Sequence, residues 1–168
     1  FRSIVPQKVD SELYELIKIG KEHSIEENSY LNIAIGPLIK LWRIGFMEAK
    51  VPEKEAILKV LDLTNPEHIQ LDDVNRTVYF IKEGIEIDLG AIAKGYFCDK
   101  IMDFFKENGA ISAMIDIGGN VLVFGDSPSN DVHWNVGIQN PFLSRGNAVL
   151  FVKTRNQSVV TSGIYERV

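Results

Sequence analysis

Ile69-Gln70-Leu71-Asp72-Asp73-Val74-Asn75-Arg76-Thr77-Val78-Tyr79-Phe80-Ile81 is where the chain changes its period. Ile69–Leu71 and Thr77–Ile81 are short β-prone runs, and the polar Asp72-Asp73-Val74-Asn75 between them predicts a hairpin. Upstream the apolar residues recur at helical spacing. Asp10 and Ser11 can cap a helix with Leu13, Leu16 and Ile17 inward and an end near Ser24. Gly36-Pro37 opens a second helix with Leu38, Leu41 and Trp42 on its buried face. Pro52 precedes a third, Glu53 to Leu61, with Ile57, Leu58 and Leu61 inward and early carboxylates favouring its start. Downstream, Glu86 to Leu89 reads as a strand running into the longest helix, Ala91 to Asn108. Its apolar residues are Ile92, Tyr96, Ile101 and Phe105, and Gly109 is its stop. Ala113–Ile117, Asn120–Phe124, Trp134–Ile138, Ala148–Val152 and Ser158–Thr161 follow as strands. Helices early and strands late predict an α+β fold with a largely antiparallel sheet and packed helices, in one domain spanning 1–168.

A chain of 168 residues with 45% hydrophobic content can bury a real core. Its net charge of −5 argues against nucleic acid as a partner and against an anionic membrane surface. Cys98, the single cysteine, rules out an internal disulfide, and its place in a helical pattern predicts a small buried residue. No run is apolar for the length of a membrane span, and Phe1 to Pro6 lack signal-peptide order. With no initiator methionine and a stop at Val168, the chain reads as a fragment, truncated at both ends.

Small residues in Asp88-Leu89-Gly90-Ala91-Ile92-Ala93-Lys94-Gly95 let backbone approach a ligand, with free helix-start N–H groups facing an anion. Lys94 adds a cation, and Asp88 can accept hydrogen bonds or help to hold a metal. Taken alone, the turn is better explained as close packing beside a solvent-exposed lysine. It matches neither a Walker loop nor a dinucleotide fingerprint. Gly118-Gly119-Asn120 suits a tight turn or a cofactor cradle, and Thr161-Ser162-Gly163 is turn chemistry with no general base beside it. His23, His68 and His133 show no metal-ligand spacing and read as surface or loop residues.

In order, Tyr30 to Trp42, Ile87 to Tyr96, Ile117 to Asn120 and Val160 to Arg167 resemble the ApbE-like FAD:protein FMN transferases from the first helix to the end of the chain. The resemblance implies a T-fold-like α+β ApbE domain. It also implies magnesium-dependent transfer of FMN from FAD to a Thr or Ser side chain of an acceptor protein, with release of AMP. Tyr30, Leu31, Asn32, Asp88 and Lys94 match family positions that contact FAD, and Val159 matches a weaker one. Ala91 matches a position whose backbone carbonyl binds Mg2+, an ion that favours hard oxygens and neutralises phosphate charge. Members act outside the cytoplasmic membrane, often as lipoproteins, so membrane attachment is expected only through an anchor beyond this chain.

Family members carry a His-His-Ile-x-Asp-Pro-x-Thr-Gly-like block after the Tyr-Glu-Arg segment, and an N-terminal flavin-contacting region. Neither is present here, so no catalytic residue is assigned, and weak metal binding and little or no transfer are expected of these 168 residues. Three readings compete with transfer: a flavin-binding module that presents FAD without reacting, an FAD pyrophosphatase that releases AMP without labelling an acceptor, and a structural α+β domain with glycine turns.

Overall fold

Asp10 is extended, and its carboxylate accepts the Glu12 N–H at 2.8 Å, relieving one unpaired donor at the start of α1, Ser11–Ile25. The buried face of α1 is Tyr14, Leu16, Ile17 and Gly20; Leu13, expected inward, is exposed. The larger Tyr14 ring takes the interior because its hydroxyl reaches a partner, donating to Asp73 Oδ1 at 3.0 Å. The computed structural model describes residues 4–44, 47–129 and 131–163.

The chain divides into two compact units, Phe1–Ala93 and Lys94–Val168. In the first, β2 (Ile69–Asp72) and β3 (Thr77–Phe80) form the expected antiparallel hairpin, with Ile69 opposite Phe80 and Asp72 opposite Thr77. Asp72 Oδ1 closes the turn by accepting from the Val74 and Asn75 N–H groups. On the other side of β3 lies β1, Gln7–Lys8, a pairing too short to leave a sequence signal. Val78, Phe80 and Ile69 point into a core with Tyr14, Ile17, Ile33, Ala34 and Ile85.

Around this core lie α2 (Gly36–Trp42, with Pro37 in its first turn) and α3 (Lys54–Leu61). Leu38, Leu41 and Trp42 are only half-buried. Leu58 and Leu61 of α3 are exposed, and Ala56, Ile57 and Val60 are the half-buried side. On a helix of eight residues, one narrow stripe suffices to pack against α2, so the remaining leucines stay in water.

Asp73 ties α1 to the hairpin, receiving Lys18 Nζ at 2.8 and 3.0 Å as well as Tyr14. Burial, then the bond to Asp73, pushes Tyr14 up to about 12. The neutral phenol is therefore the stabilising form, and its contribution is complete below pH 10 and lost as pH rises through about 12. The Lys18 and Tyr14 bonds hold Asp73 below the usual carboxylate range, so its contribution disappears in acid as the carboxylate protonates. Tyr14→Phe should remove the tyrosinate absorbance step near 12 and flatten the alkaline loss of stability. A step lost near 10 instead would show the ring to be free.

The second unit holds all but the first residue of α4, Ala93–Glu107, followed by β4 (Ala113–Asp116) and β5 (Asn120–Phe124). Together with β8 (Ser158–Val160) these strands form an antiparallel sheet in the order β4-β5-β8. A separate antiparallel ribbon joins β6 (Trp134–Gln139) to β7 (Ala148–Thr154). Gly109, at φ +84°, ends α4: Ala110 N–H bonds Phe105 O and Gly109 N–H bonds Lys106 O, the Schellman pattern. Ile101 and Phe105, expected inward, are exposed and share a stripe with Phe97 and Phe104. The neighbouring stripe, Cys98 and Met102, packs on Ile115, Leu122 and Phe124 instead. Cys98 is small and Met102 is pliant, so they let the helix approach the sheet more closely than phenylalanines would.

Candidate functional site

Ile85 is fully buried, and Ile87 and Leu89 pack against the same core, so this period-two alternation turns Glu86 and Asp88 the other way. The segment is extended but belongs to no sheet, contrary to the strand expected there. Its backbone is satisfied elsewhere, with Asp88 N–H donating to Ile33 O at 2.8 Å. The Asp88 carboxylate folds back to accept the Gly90 N–H at 2.8 Å, shaping an exposed turn that holds Ala91. Leu89 O then accepts from Ile92 and Ala93, so regular helix begins at Ala93, two residues later than expected.

Asn32 lies beside this segment through its neighbour Ile33. Its Oδ1 caps the 3-10 turn Ile33–Ile35 by accepting the Ala34 N–H at 2.8 Å, and its Nδ2 donates to Thr64 O at 2.8 Å. Ser24, which the sequence reading missed, donates to Gly20 O and accepts the Ile33 N–H, fastening the turn to α1. Leu31 is half-buried with its N–H on Ser29 Oγ, and Tyr30 is wholly exposed. The first unit thus gathers Tyr30, Leu31 and Asn32 on one segment and joins that segment to Asp88 through Ile33. Asn32→Ala should lower stability by about 1–2 kcal/mol in urea, because it removes a cap and strands the Thr64 carbonyl. A midpoint shift below a few tenths of a molar would contradict this.

In the second unit Lys94, on the first turn of α4, is half-buried, and its Nζ donates to Gly118 O at 2.9 Å. Gly118 and Gly119 have φ of +55° and +83°, as a two-residue turn between β4 and β5 requires. Asp116 Oδ1 accepts the Gly119 N–H at 3.0 Å, and Gly119 O accepts the Thr161 N–H at 2.9 Å. A Cβ at Gly119 would stand 3.2 Å from Thr161 Oγ1, so the approach is close. At Gly95 a Cβ would meet nothing within 4 Å, which leaves room at the helix start. Val159 is half-buried on β8 opposite Val121 of β5. Cys98 is buried as expected, and its thiol faces the buried Asn120 side chain. The spacing of Lys94 and Cys98, one helical turn apart, is a signal for that arrangement that sequence reasoning left unused.

His23 and His133 are exposed beside Glu26 and Asp131, as expected. His68 departs from the surface reading: it is half-buried, and its Nδ1 is buried without a partner among the described residues. Among those residues no group of three or more His, Cys, Asp or Glu side chains could hold a metal. No helix of the described residues is long and apolar enough to cross a membrane. Ile164 to Arg167 of the fourth sequence block lie outside the described residues.

Helices and antiparallel sheets, with a capped turn at Asp88 and a lysine bound to a Gly-Gly turn, place the chain in the α+β class. The ApbE family model matches residues 2–168, and the chain belongs to the ApbE family. It is 40% identical over 162 residues to a FAD:protein FMN transferase of Klebsiella pneumoniae, covering 96% of this chain and 49% of that protein. It is 36% identical over 174 residues to a FAD:protein FMN transferase of Treponema pallidum, covering 96% and 48%. The ApbE protein of Thermotoga maritima superposes with a TM-score of 0.83 at 29% identity, over 98% of this chain and 53% of that one. The flavin transferase ApbE of Vibrio cholerae superposes at 0.79 and 25% identity, covering 98% and 53%. The chain spans about half the length of the curated relatives it matches.

Proposed function

We propose that these residues carry the FAD-holding part of a FAD:protein FMN transferase. The observation that carries the reading is Lys94 held at the glycine turn on the first turn of α4, in a chain whose relatives bear that name. A lysine ammonium has three donors, and the bond to Gly118 O uses one, leaving two for a phosphate beside the open helix start at Gly95. Asp88 keeps acceptor capacity for the sugar or ring of FAD. Tyr30, wholly exposed, offers an aromatic face, Leu31 and Asn32 shape the same segment, and Val159 is assigned to FAD by the family resemblance alone.

In the proposed reaction a Thr or Ser hydroxyl of an acceptor protein bonds to the FMN phosphorus while the bond to the bridging pyrophosphate oxygen breaks. AMP leaves with that oxygen, and the hydroxyl proton passes to solvent. The residues present do not complete a magnesium site: the Ala91 carbonyl and one Asp88 oxygen fall short of an octahedral shell. Magnesium belongs to the reading only together with FAD, with Ala91 supplying one oxygen. When bound, the ion neutralises pyrophosphate charge. Mg2+ alone should therefore show no saturable binding below millimolar concentration by calorimetry, whereas FAD should tighten it. Tight binding without FAD would contradict the assignment. By family resemblance we place the protein outside the cytoplasmic membrane, on a lipid anchor carried beyond residues 1–168, which fractionation and globomycin sensitivity would check.

Incubating an acceptor peptide with FAD, Mg2+ and the gene product tests the activity by mass spectrometry. An FMN-sized adduct on Thr or Ser with matching AMP release is expected. AMP without an adduct would make the protein an FAD pyrophosphatase, and bound FAD with neither product would make it a flavin-binding module.

A further inference from the structure

Two links join the same face of α4 to the same turn. Lys94 Nζ donates to Gly118 O at 2.9 Å. One helical turn on, Cys98 Sγ receives Asn120 Nδ2 at 3.0 Å and faces Asn120 O at 3.6 Å. Ile117 and Asn120 exchange backbone bonds at 3.0 and 3.3 Å, so the turn between them is closed and Gly118 O moves with Asn120. Cys98 and Asn120 are 1% and 5% exposed, so the amide has no water to fall back on. A buried asparagine is costly unless its hydrogen-bonding groups are satisfied, and here the thiol takes one of its amide protons.

We infer that Cys98 and Asn120 are positioning residues: their contact sets the glycine turn against α4 and thereby fixes the Lys94 ammonium at Gly118 O. The inference rests on the proposed role of Lys94 toward FAD. Neither residue touches the ligand in this scheme. Asn120 acts through the carbonyl of Gly118, and Cys98 acts through Asn120. A thiol serves because it offers both an acceptor and a weak donor in a small volume, which alanine at the same position does not.

The test uses the gene product that carries these residues, with two readouts. The first is acetylation of Lys94 by acetic anhydride relative to Lys106 on the same helix, read by peptide mass spectrometry. The second is the Kd for FAD from quenching of flavin fluorescence. Cys98→Ala and Asn120→Ala should each raise Lys94 labelling over Lys106 about threefold or more, and weaken FAD binding about tenfold. Cys98→Ser, which keeps a donor and an acceptor, should restore both. In a Lys94→Met background, Asn120→Ala should cost little further FAD affinity, because its effect passes through the ammonium.

Labelling of Lys94 and Lys106 rising together would mean general loosening and would overturn the inference, as would Cys98→Ser behaving like Cys98→Ala. Selective labelling with an unchanged FAD Kd would overturn the positioning role while leaving FAD binding in place. If the unsubstituted gene product bound no FAD, the proposed function would fall, and labelling alone would decide whether the thiol–amide contact holds Lys94.

Discussion

Lys94→Met is expected to weaken FAD binding by about 10- to 100-fold, the loss typical of a hydrogen bond to a charged group. Methionine keeps an unbranched stem of similar reach, so the packing of the half-buried side chain is retained while charge and donors are lost. Helicity should hold as well, since Lys and Met have similar propensity. Lys94→Arg is expected to recover part of the loss, because its charge remains but its planar fork does not reproduce the compact ammonium at Gly118 O. Titration of flavin fluorescence with each variant checks this. A change under twofold for Lys94→Met would remove this residue from the binding site and return the turn to plain packing.

Gly125→Ala should destabilise the second unit by about 3 kcal/mol or more, among the larger effects of single substitutions. Gly125 has φ +68°, so any side chain is strained there, and an added Cβ would overlap the Ile111 carbonyl oxygen and lie 2.9 Å from Ser112 Cα. The backbone cannot easily retreat. Ala113 pairs with Phe124 next door, Gly125 N–H donates to Asn156 Oδ1 at 2.8 Å, and Gly125 O accepts from Trp134 Nε1 at 3.0 Å. Gly146→Ala is the control: its φ is +95°, but a Cβ would meet nothing within 4 Å, so about 1 kcal/mol of backbone strain is all that is expected. Urea denaturation of both variants separates overlap from strain, and equal losses would show that the Ile111 contact relaxes freely.

The strand runs were legible because β-branched and aromatic residues cluster between polar turns, and the β2–β3 hairpin, β4, β5, β6, β7 and β8 fall where the pattern puts them. Helix ends were legible for a similar local reason: Asp10, Pro37 and Gly109 act within a few residues of where they stand. Helix faces were less so. Leu13, Leu61, Ile101 and Phe105 are as apolar as the residues that did become buried, and only the neighbouring surface decides which stripe is covered. The extended segment Glu86 to Leu89 misled in the same way. Its alternation is that of a strand, yet its Asp88 N–H found Ile33 O rather than a sheet partner.

The site divides along the same line. The sequence by itself determined the family pattern and the chemistry on offer: a carboxylate at Asp88, a cation at Lys94 and glycines at 118 and 119. These are properties of residue type and order, which need no third dimension. Only the tertiary structure decided that Asn32 spends both ends of its amide on Ala34 and Thr64, that Lys94 is tied to Gly118 rather than free in solvent, and that Cys98 meets Asn120. All of those contacts but the Asn32–Ala34 cap join residues tens of positions apart, and hydrogen bonds choose partners by distance and angle, which sequence spacing does not encode.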